Sequence, residues 1–312
     1  MSGKKIVLLD RKTIGEDVDY SGFEALGDVV SYDVTPEEEA PKRVEDADVI
    51  VVNKLRVNEK TIGNAKKLKL VCVTATGTDN LDKEYLAQRG IEWRNVAGYS
   101  TNSVAQHSFA LLLALMEKLP YYDRYVKSGA YAQDDSFSHF TNVFHEFAGM
   151  TIGIIGMGAI GKKVAEIATA FGAKVIYYST SGENRSDLYE RVDLDTLLTT
   201  SDVVSIHSPL TDKTRGLINK DTLRKMKSSA ILINVGRGPI VVEEDLVEAL
   251  NEGVIAAAGL DVLCKEPMEA NHPFLRIQDS NRLMITPHIA WASVEARQRV
   301  LDIVCGQIKD IL

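Results

Sequence analysis

Short β-branched runs alternate with amphipathic segments along almost the whole chain. KIVLLD, DVVSYDV, ADVIVV and KLVCVT are bounded by polar or glycine residues, with helix-like stretches such as EEEAPKRVED and NEKTIGNAKK between them. Strand-length runs separated by helices form βαβ units, whose strands must pair in parallel because each crossover returns the chain to the same edge. The rhythm pauses at one long apolar helix, residues 101–119, then restarts as MTIGIIG, KVIYY, DVVSIH, AILINVG, AAAGLDV and RLMITP. These six runs match the strand inventory of a complete dinucleotide-binding sheet. The first series, Lys4 to about Val96, is shorter and predicts a smaller doubly wound domain. A last amphipathic stretch, Ser293 to Leu312, predicts a helix that packs back on that smaller domain. The predicted fold is α/β with two doubly wound parallel-sheet domains. A Rossmann dinucleotide-binding domain takes residues 100–286, and a smaller flavodoxin-like substrate domain is built from 1–99 plus 287–312. Chain crossings near Tyr99 and Pro287 predict an interdomain cleft as the ligand site.

The restarted series opens on Gly156-x-Gly158-x-x-Gly161. Alone this pattern is weak. Here a strand precedes it, and a helix with apolar Ile160, Val164, Ile167 and Phe171 follows and stops at Gly172. In that setting Gly156 suits the tight turn, Gly158 lets backbone approach a pyrophosphate, and Gly161 allows close helix–strand packing. The N–H groups of Ala159 and Ile160 would then point at phosphate oxygens.

Three later strands end in reactive side chains: Arg237 between Gly236 and Gly238, Asp261 followed by Glu266, and His288 after Thr286-Pro287. Ligands of parallel sheets sit beyond the carboxyl ends of the strands, so these segments converge on the cofactor edge. Taken singly, the arginine also suits a surface ion pair, the glutamate a solvated position and the histidine ordinary packing. Together they form a coherent set. Arginine grips a carboxylate with two prongs and polarises a carbonyl, histidine transfers a proton, and glutamate orients the imidazole and favours its charged form.

Composition narrows the class. Of 312 residues, 45% are hydrophobic and 26% charged, and 44 acidic against 36 basic residues give a formal charge of -8. No basic run marks a nucleic-acid partner. Cys72, Cys264 and Cys305 are far apart and form no CxxC pair, so neither a zinc site nor a disulfide framework is expected, and no metal. The opening MSGKKIVLLD has no apolar leader pattern, and VAQHSFALLLALM is too short to span a bilayer. A cytoplasmic protein without a membrane partner is expected.

At these residues the sequence closely resembles the D-isomer-specific 2-hydroxyacid dehydrogenase family. The likeness runs nearly end to end through ATGTDNLD, YSTNSVAQHSFALLLAL, GMGAIG, SDVVSIHSPLTDKTRGLIN, NVGRGPIV, GLDVLCKEP and TPHIAWAS. Its ATG, SVAQH and PHIAWAS forms are most similar to the glycerate dehydrogenases, or hydroxypyruvate reductases. The resemblance implies hydride transfer from a nicotinamide to a small 2-keto acid, hydroxypyruvate to D-glycerate first and glyoxylate also. It implies His288 as acid/base, Glu266 as its partner and Arg237 on the substrate carboxylate and carbonyl. It places backbone N–H groups of Ala75, Thr76 and Gly77 on the carboxylate's other side. It puts Asp261 on the nicotinamide amide, with Thr101, His207, Pro209, Val235 and Gly236 along the cofactor. It also implies a homodimer made by the SVAQH helix and the arm after it, residues 131–147, whose Phe140 is a candidate for reaching the neighbouring site.

One departure stands out. Members that use NAD(H) end the second strand of the sheet with an acidic residue that holds the ribose hydroxyls and repels a 2′-phosphate. This chain has Ser179, followed by Thr180 and Ser181, with Arg185 further along and Glu183 between. The cofactor is therefore NAD(H) or NADP(H), with Arg185 the candidate phosphate partner and Glu183 a candidate substitute for the missing carboxylate. Other readings remain open. They are a D-lactate-type or bulkier 2-keto acid reductase, a phosphoglycerate dehydrogenase without a regulatory domain, and a non-catalytic nicotinamide-sensing corepressor. Formate dehydrogenase is disfavoured by Glu266, because that relative pairs its histidine with glutamine.

Overall fold

The computed structural model describes residues 3–311. Met1, Ser2 and Leu312, at the ends of the opening run and of the final predicted helix, lie outside the described residues. The chain divides into two compact units, one running to Ser100 and resuming at Trp291, the other Thr101–Ala290. The second boundary falls later than the residue 287 read from the sequence. Residues 288–290 are hydrogen-bonded to Asp261 and so stay with the larger unit.

The smaller unit holds β1 (Lys5–Leu8), β2 (Asp28–Ser31), β3 (Val49–Val52), β4 (Leu70–Val73) and β5 (Glu92–Arg94), all parallel in the order β2-β1-β3-β4-β5. This is the flavodoxin-like order. β3 and β4 are buried on both faces, which explains their unbroken apolar runs. One face carries Val7, Ile50, Val52 and Val71 against Ile62 and Leu86. The other carries Ile6, Leu8, Val49, Val51 and Leu70 against the helix Val294–Lys309, which buries Ala296, Val300, Leu301, Val304 and Ile308 there. Each of the buried valine, leucine and isoleucine side chains contributes roughly 1.5–3 kcal/mol by leaving water. The Ser293 hydroxyl caps this helix by accepting from Ala296 N–H at 3.2 Å.

The larger unit holds β6 (Thr151–Ile155), β7 (Lys174–Tyr178), β8 (Glu190–Arg191), β9 (Val203–Ile206), β10 (Ile231–Asn234), β11 (Ala257–Leu260) and β12 (Leu283–Ile285). They form one parallel sheet in the order β12-β11-β10-β9-β6-β7-β8. Strand order reverses between β6 and β9, which opens a crevice beyond their carboxyl ends. Six of these strands coincide with the predicted runs; β8 is added at the edge. The apolar helix is Thr101–Met116, shorter than predicted. Lys118 takes a left-handed φ of 54° and a second helix, Leu119–Lys127, begins with Pro120 in its first turn, where a proline is tolerated. Among the described residues no helix is long and apolar enough to cross a membrane.

Candidate active site

The glycine loop follows β6. Gly156 has φ +98°, and a Cβ there would lie 2.7 Å from the Ser208 nitrogen, so only glycine fits. A Cβ on Gly161 would lie 2.2 Å from the Gly156 oxygen, which lets the Ala159–Ala170 helix sit directly over the turn. Around Gly158 there is open space, and this residue gives the helix no side-chain cap. The first N–H groups of the helix, on Ala159 and Ile160, therefore have no capping side chain. Beside the loop, at the end of β9, two buried polar atoms have no partner among the described residues: His207 Nδ1 and Ser208 Oγ. His207 Nε2 is engaged with Ser205 Oγ at 2.8 Å, and burial of the ring pushes its pKa down to about 3, so it is neutral. An uncapped helix start, room above Gly158 and two orphaned polar atoms fit a dinucleotide whose phosphates meet the helix.

His288 and Glu266 come together. The His288 Nδ1–H donates to Glu266 Oε2 at 2.6 Å, and Glu266 Oε1 accepts from the Leu263 N–H at 3.0 Å. With one oxygen fixed by backbone, the other is aimed at the imidazole. This arrangement fixes Nδ1 as the protonated nitrogen and makes Nε2 the one that faces chemistry. Both side chains are about a third exposed, accessible to a substrate yet partly shielded.

His288 has φ +56°, a left-handed conformation that costs a non-glycine residue free energy. Asp261, almost wholly buried, holds it there. Its Oδ1 accepts from Thr286 Oγ1 at 2.6 Å and Ile289 N–H at 2.9 Å, and its Oδ2 accepts from Ala290 N–H at 2.8 Å. The His288 N–H donates to the Asp261 carbonyl at 2.8 Å. The apolar helix joins in. His107 Nε2 lies 2.8 Å from Thr286 Oγ1, and Ser103 Oγ donates to the Ala290 carbonyl at 2.6 Å. Asp261 thus builds the turn that carries His288, a task the sequence did not suggest for it. Ser103, His107 and Thr286 share that task and were not singled out, although the first two lie in the quoted SVAQH helix.

Arg237 follows β10. Its Nη1 donates to the Gly236 carbonyl at 2.8 Å, and among the described residues no carboxylate pairs with it, unlike the surface ion pair considered for it alone. Asn234, buried and missed by sequence reasoning, braces the turn. Its Oδ1 accepts from Gly236 N–H and its Nδ2 donates to the Arg237 carbonyl, both at 3.0 Å. A Cβ on Gly238 would stand 2.0 Å from the Leu263 carbonyl carbon, so this glycine brings the Arg237 turn against the chain that leads to Glu266.

Of the cofactor-edge residues, Val235 is buried and Pro209 exposed, its carbonyl accepting from Thr214 Oγ1 at 2.8 Å; Thr101 begins the apolar helix. Ser179 is buried at the end of β7, with its hydroxyl accepting from Gly182 N–H at 3.2 Å. Thr180 is half-buried, while Ser181 and Arg185 are exposed in the same loop. Ala75, Thr76 and Gly77 follow β4 in the smaller unit. There the Ala75 carbonyl accepts from Val96 N–H at 3.1 Å and the Thr76 carbonyl from Asn95 Nδ2 at 2.7 Å. No group of three or more His, Cys, Asp or Glu among the described residues could hold a metal ion.

Residues 109–290 match the profile described as D-isomer specific 2-hydroxyacid dehydrogenase, NAD binding domain. The chain is 37% identical to a hydroxypyruvate reductase of Blautia hydrogenotrophica over 316 aligned positions, covering 99% of this chain and 97% of that one. It is 38% identical to a glycerate dehydrogenase of Methylorubrum extorquens, covering 96% and 93% of the two chains. Among solved structures, an acyclic imino acid reductase (Bsp5) in complex with NADPH and D-Arg superposes with a TM-score of 0.86 at 31% identity, covering 98% of this chain and 96% of that one. Glycine loop, histidine–glutamate pair, lone arginine and full-length likeness agree: the chain belongs to the D-isomer specific 2-hydroxyacid dehydrogenase family, and it is a nicotinamide-dependent oxidoreductase.

Proposed function

We propose that the enzyme reduces a small 2-keto acid, hydroxypyruvate to D-glycerate first and glyoxylate also, and that it accepts NADP(H) as well as NAD(H). The observation that carries the reading is the His288–Glu266 pair at 2.6 Å, on the same sheet edge as the glycine loop. When bound, the reduced nicotinamide supplies the hydride. Arg237, with no carboxylate of its own among the described residues, grips the substrate carboxylate and draws electron density from the carbonyl oxygen. Backbone N–H groups at Ala75, Thr76 and Gly77, after β4, are proposed as further donors to the substrate carboxylate. As the carbonyl carbon gains the hydride, its oxygen takes the proton from His288 Nε2, giving the hydroxyl of the 2-hydroxy acid. Glu266 holds the imidazole in the required tautomer and stabilises its cation before transfer. Asp261 has its carboxylate oxygens bound to the His288 turn, and its contact with the nicotinamide amide is proposed alongside that role.

The hydroxypyruvate reading draws support from the names of two full-length relatives, and NADP(H) use from the absence of a carboxylate at Ser179. A homodimer is proposed through the arm, where Phe137 and Phe140 are 90% and 81% exposed. Size-exclusion chromatography with light scattering tests it, since Phe140→Ala should shift the protein toward monomer. A cytoplasmic location fits the free thiols, of which Cys72 is buried, with its pKa pushed up to about 12 by that burial.

The test is the initial rate of hydroxypyruvate and glyoxylate reduction with NADH and with NADPH. Saturable turnover of hydroxypyruvate with either cofactor is expected. Turnover of bulkier 2-keto acids alone would overturn the substrate, and no turnover with any 2-keto acid would favour the corepressor reading.

A further inference from the structure

The structure holds a second arginine at the cofactor edge that the sequence did not single out. It lies in β8, two residues long, which pairs with β7 so that Arg191 stands beside Tyr177, two positions before Ser179. The Arg191 Nη1 donates to the Gly182 carbonyl at 3.1 Å. The loop it reaches is stapled at two further points. Gly182 N–H donates to Ser179 Oγ at 3.2 Å, and Ser186 N–H donates to the hydroxyl of buried Tyr177 at 3.1 Å. Glu183 and Asp187 in the loop and Glu190 next in sequence are exposed, yet among the described residues none pairs with Arg191. Arg185, the cation suggested by sequence, is exposed and has no such anchor among the described residues.

We infer that Arg191, with the hydroxyls of Thr180 and Ser181, forms a subsite for the 2′-phosphate of an NADP-type dinucleotide. The inference rests on the dinucleotide reading above and adds the residue that confers the preference. The chemistry follows from the placement. The end of β7 is where a parallel-sheet dinucleotide fold meets the adenosine ribose. A carboxylate there would repel a phosphate; Ser179 instead folds its hydroxyl into the loop. A guanidinium carries five N–H donors, and one of them holds Gly182. The remaining donors suit phosphate oxygens, and the bond to Gly182 fixes the fork before the ligand arrives, which lowers the entropy lost on binding. The single bond also explains how an exposed arginine keeps its place without a carboxylate partner.

The test is calorimetric binding of 2′,5′-ADP and of 5′-AMP to the full-length protein, in wild type, Arg191→Gln, Arg191→Lys and Arg185→Ala. Wild type should bind 2′,5′-ADP about tenfold or more tighter than 5′-AMP, the range of one charge-assisted phosphate contact. Arg191→Gln should lose that preference with 5′-AMP affinity unchanged, Arg191→Lys should keep part of it, and Arg185→Ala should keep nearly all. A wild type without preference, or a preference that survives Arg191→Gln, overturns the inference. A preference lost only in Arg185→Ala would move the subsite to the loop itself. Turnover with NADH separates this from the broader reading. If 5′-AMP binds and NADH supports reduction while 2′,5′-ADP gains nothing, only the Arg191 subsite fails.

Discussion

The turn that carries His288 and the loop that follows β7 are held in opposite ways. The turn is built on a nearly buried carboxylate that accepts three hydrogen bonds and is backed by Ser103 and His107 from the apolar helix. The loop is largely exposed and is kept in shape by single bonds from Gly182, Arg191 and Ser186. The first arrangement stabilises a left-handed histidine that would otherwise relax. The second can change its residues at little cost to the fold. If the proposed assignments hold, reaction chemistry and cofactor choice belong to parts of one sheet edge with very different tolerance to substitution. The part-exposed His288 is anchored to a buried carboxylate, whereas the β7 loop has no such anchor among the described residues.

The strongest way to break this comparison is at Asp261. Asp261→Ala leaves a hydroxyl, a buried N–H and a part-buried N–H without their acceptor and should cost about 3 kcal/mol of stability in urea unfolding. Turnover should fall with it, because His288 loses its backbone support. Glu266→Gln should spare stability and lower kcat about a hundredfold, the size of a proton-transfer contribution. Steady-state kinetics beside an unfolding curve separates these two variants, and equal stability losses in both would contradict the division of labour described here.

His207, beside the glycine loop, adds a pH signature. Its pKa in the folded protein is pushed down from 6.5 to about 3 by burial, so the folded state refuses a proton that the unfolded chain accepts. This contribution is complete above about pH 6.5 and is lost as pH falls toward about 3, at up to about 1.4 kcal/mol per pH unit for one group. Unfolding free energies between pH 7.5 and 5 should show this decline, and His207→Gln should flatten it. The smallest effect sharpens the contrast. Arg191→Gln should change stability by no more than about 0.5 kcal/mol, as exposed positions usually do, while the 2′-phosphate preference disappears.

What the sequence revealed follows the same division. Buried parallel strands must be apolar, so β3, β4, β6, β9 and β10 stand out as runs. The glycine loop and the strand-end Arg237, Glu266 and His288 are visible because close approach and chemistry each demand particular residue types. Edge strands β5 and β8 did not register, since EWR and ER are short and polar and bury little. Missing β8 hid Arg191 and directed attention to Arg185 instead. The bracing role of Asp261 was invisible for another reason: its backbone partners lie 28 and 29 residues along the chain, a pairing set by β11 and β12 coming together. The left-handed Lys118 falls where the apolar run gives way to Glu117-Lys118 and Pro120 follows, so the predicted helix overran its end by three residues.

The most direct test of the account is hydroxypyruvate turnover by His288→Ala measured beside cofactor binding, followed by nicotinamide fluorescence. The account predicts turnover reduced by a factor of about 10²–10⁴, the range for loss of a general acid, with cofactor affinity close to wild type. Turnover near the wild-type rate in a folded His288→Ala enzyme would contradict it, because the proton would then come from a group other than the histidine that Asp261 and Glu266 hold in place.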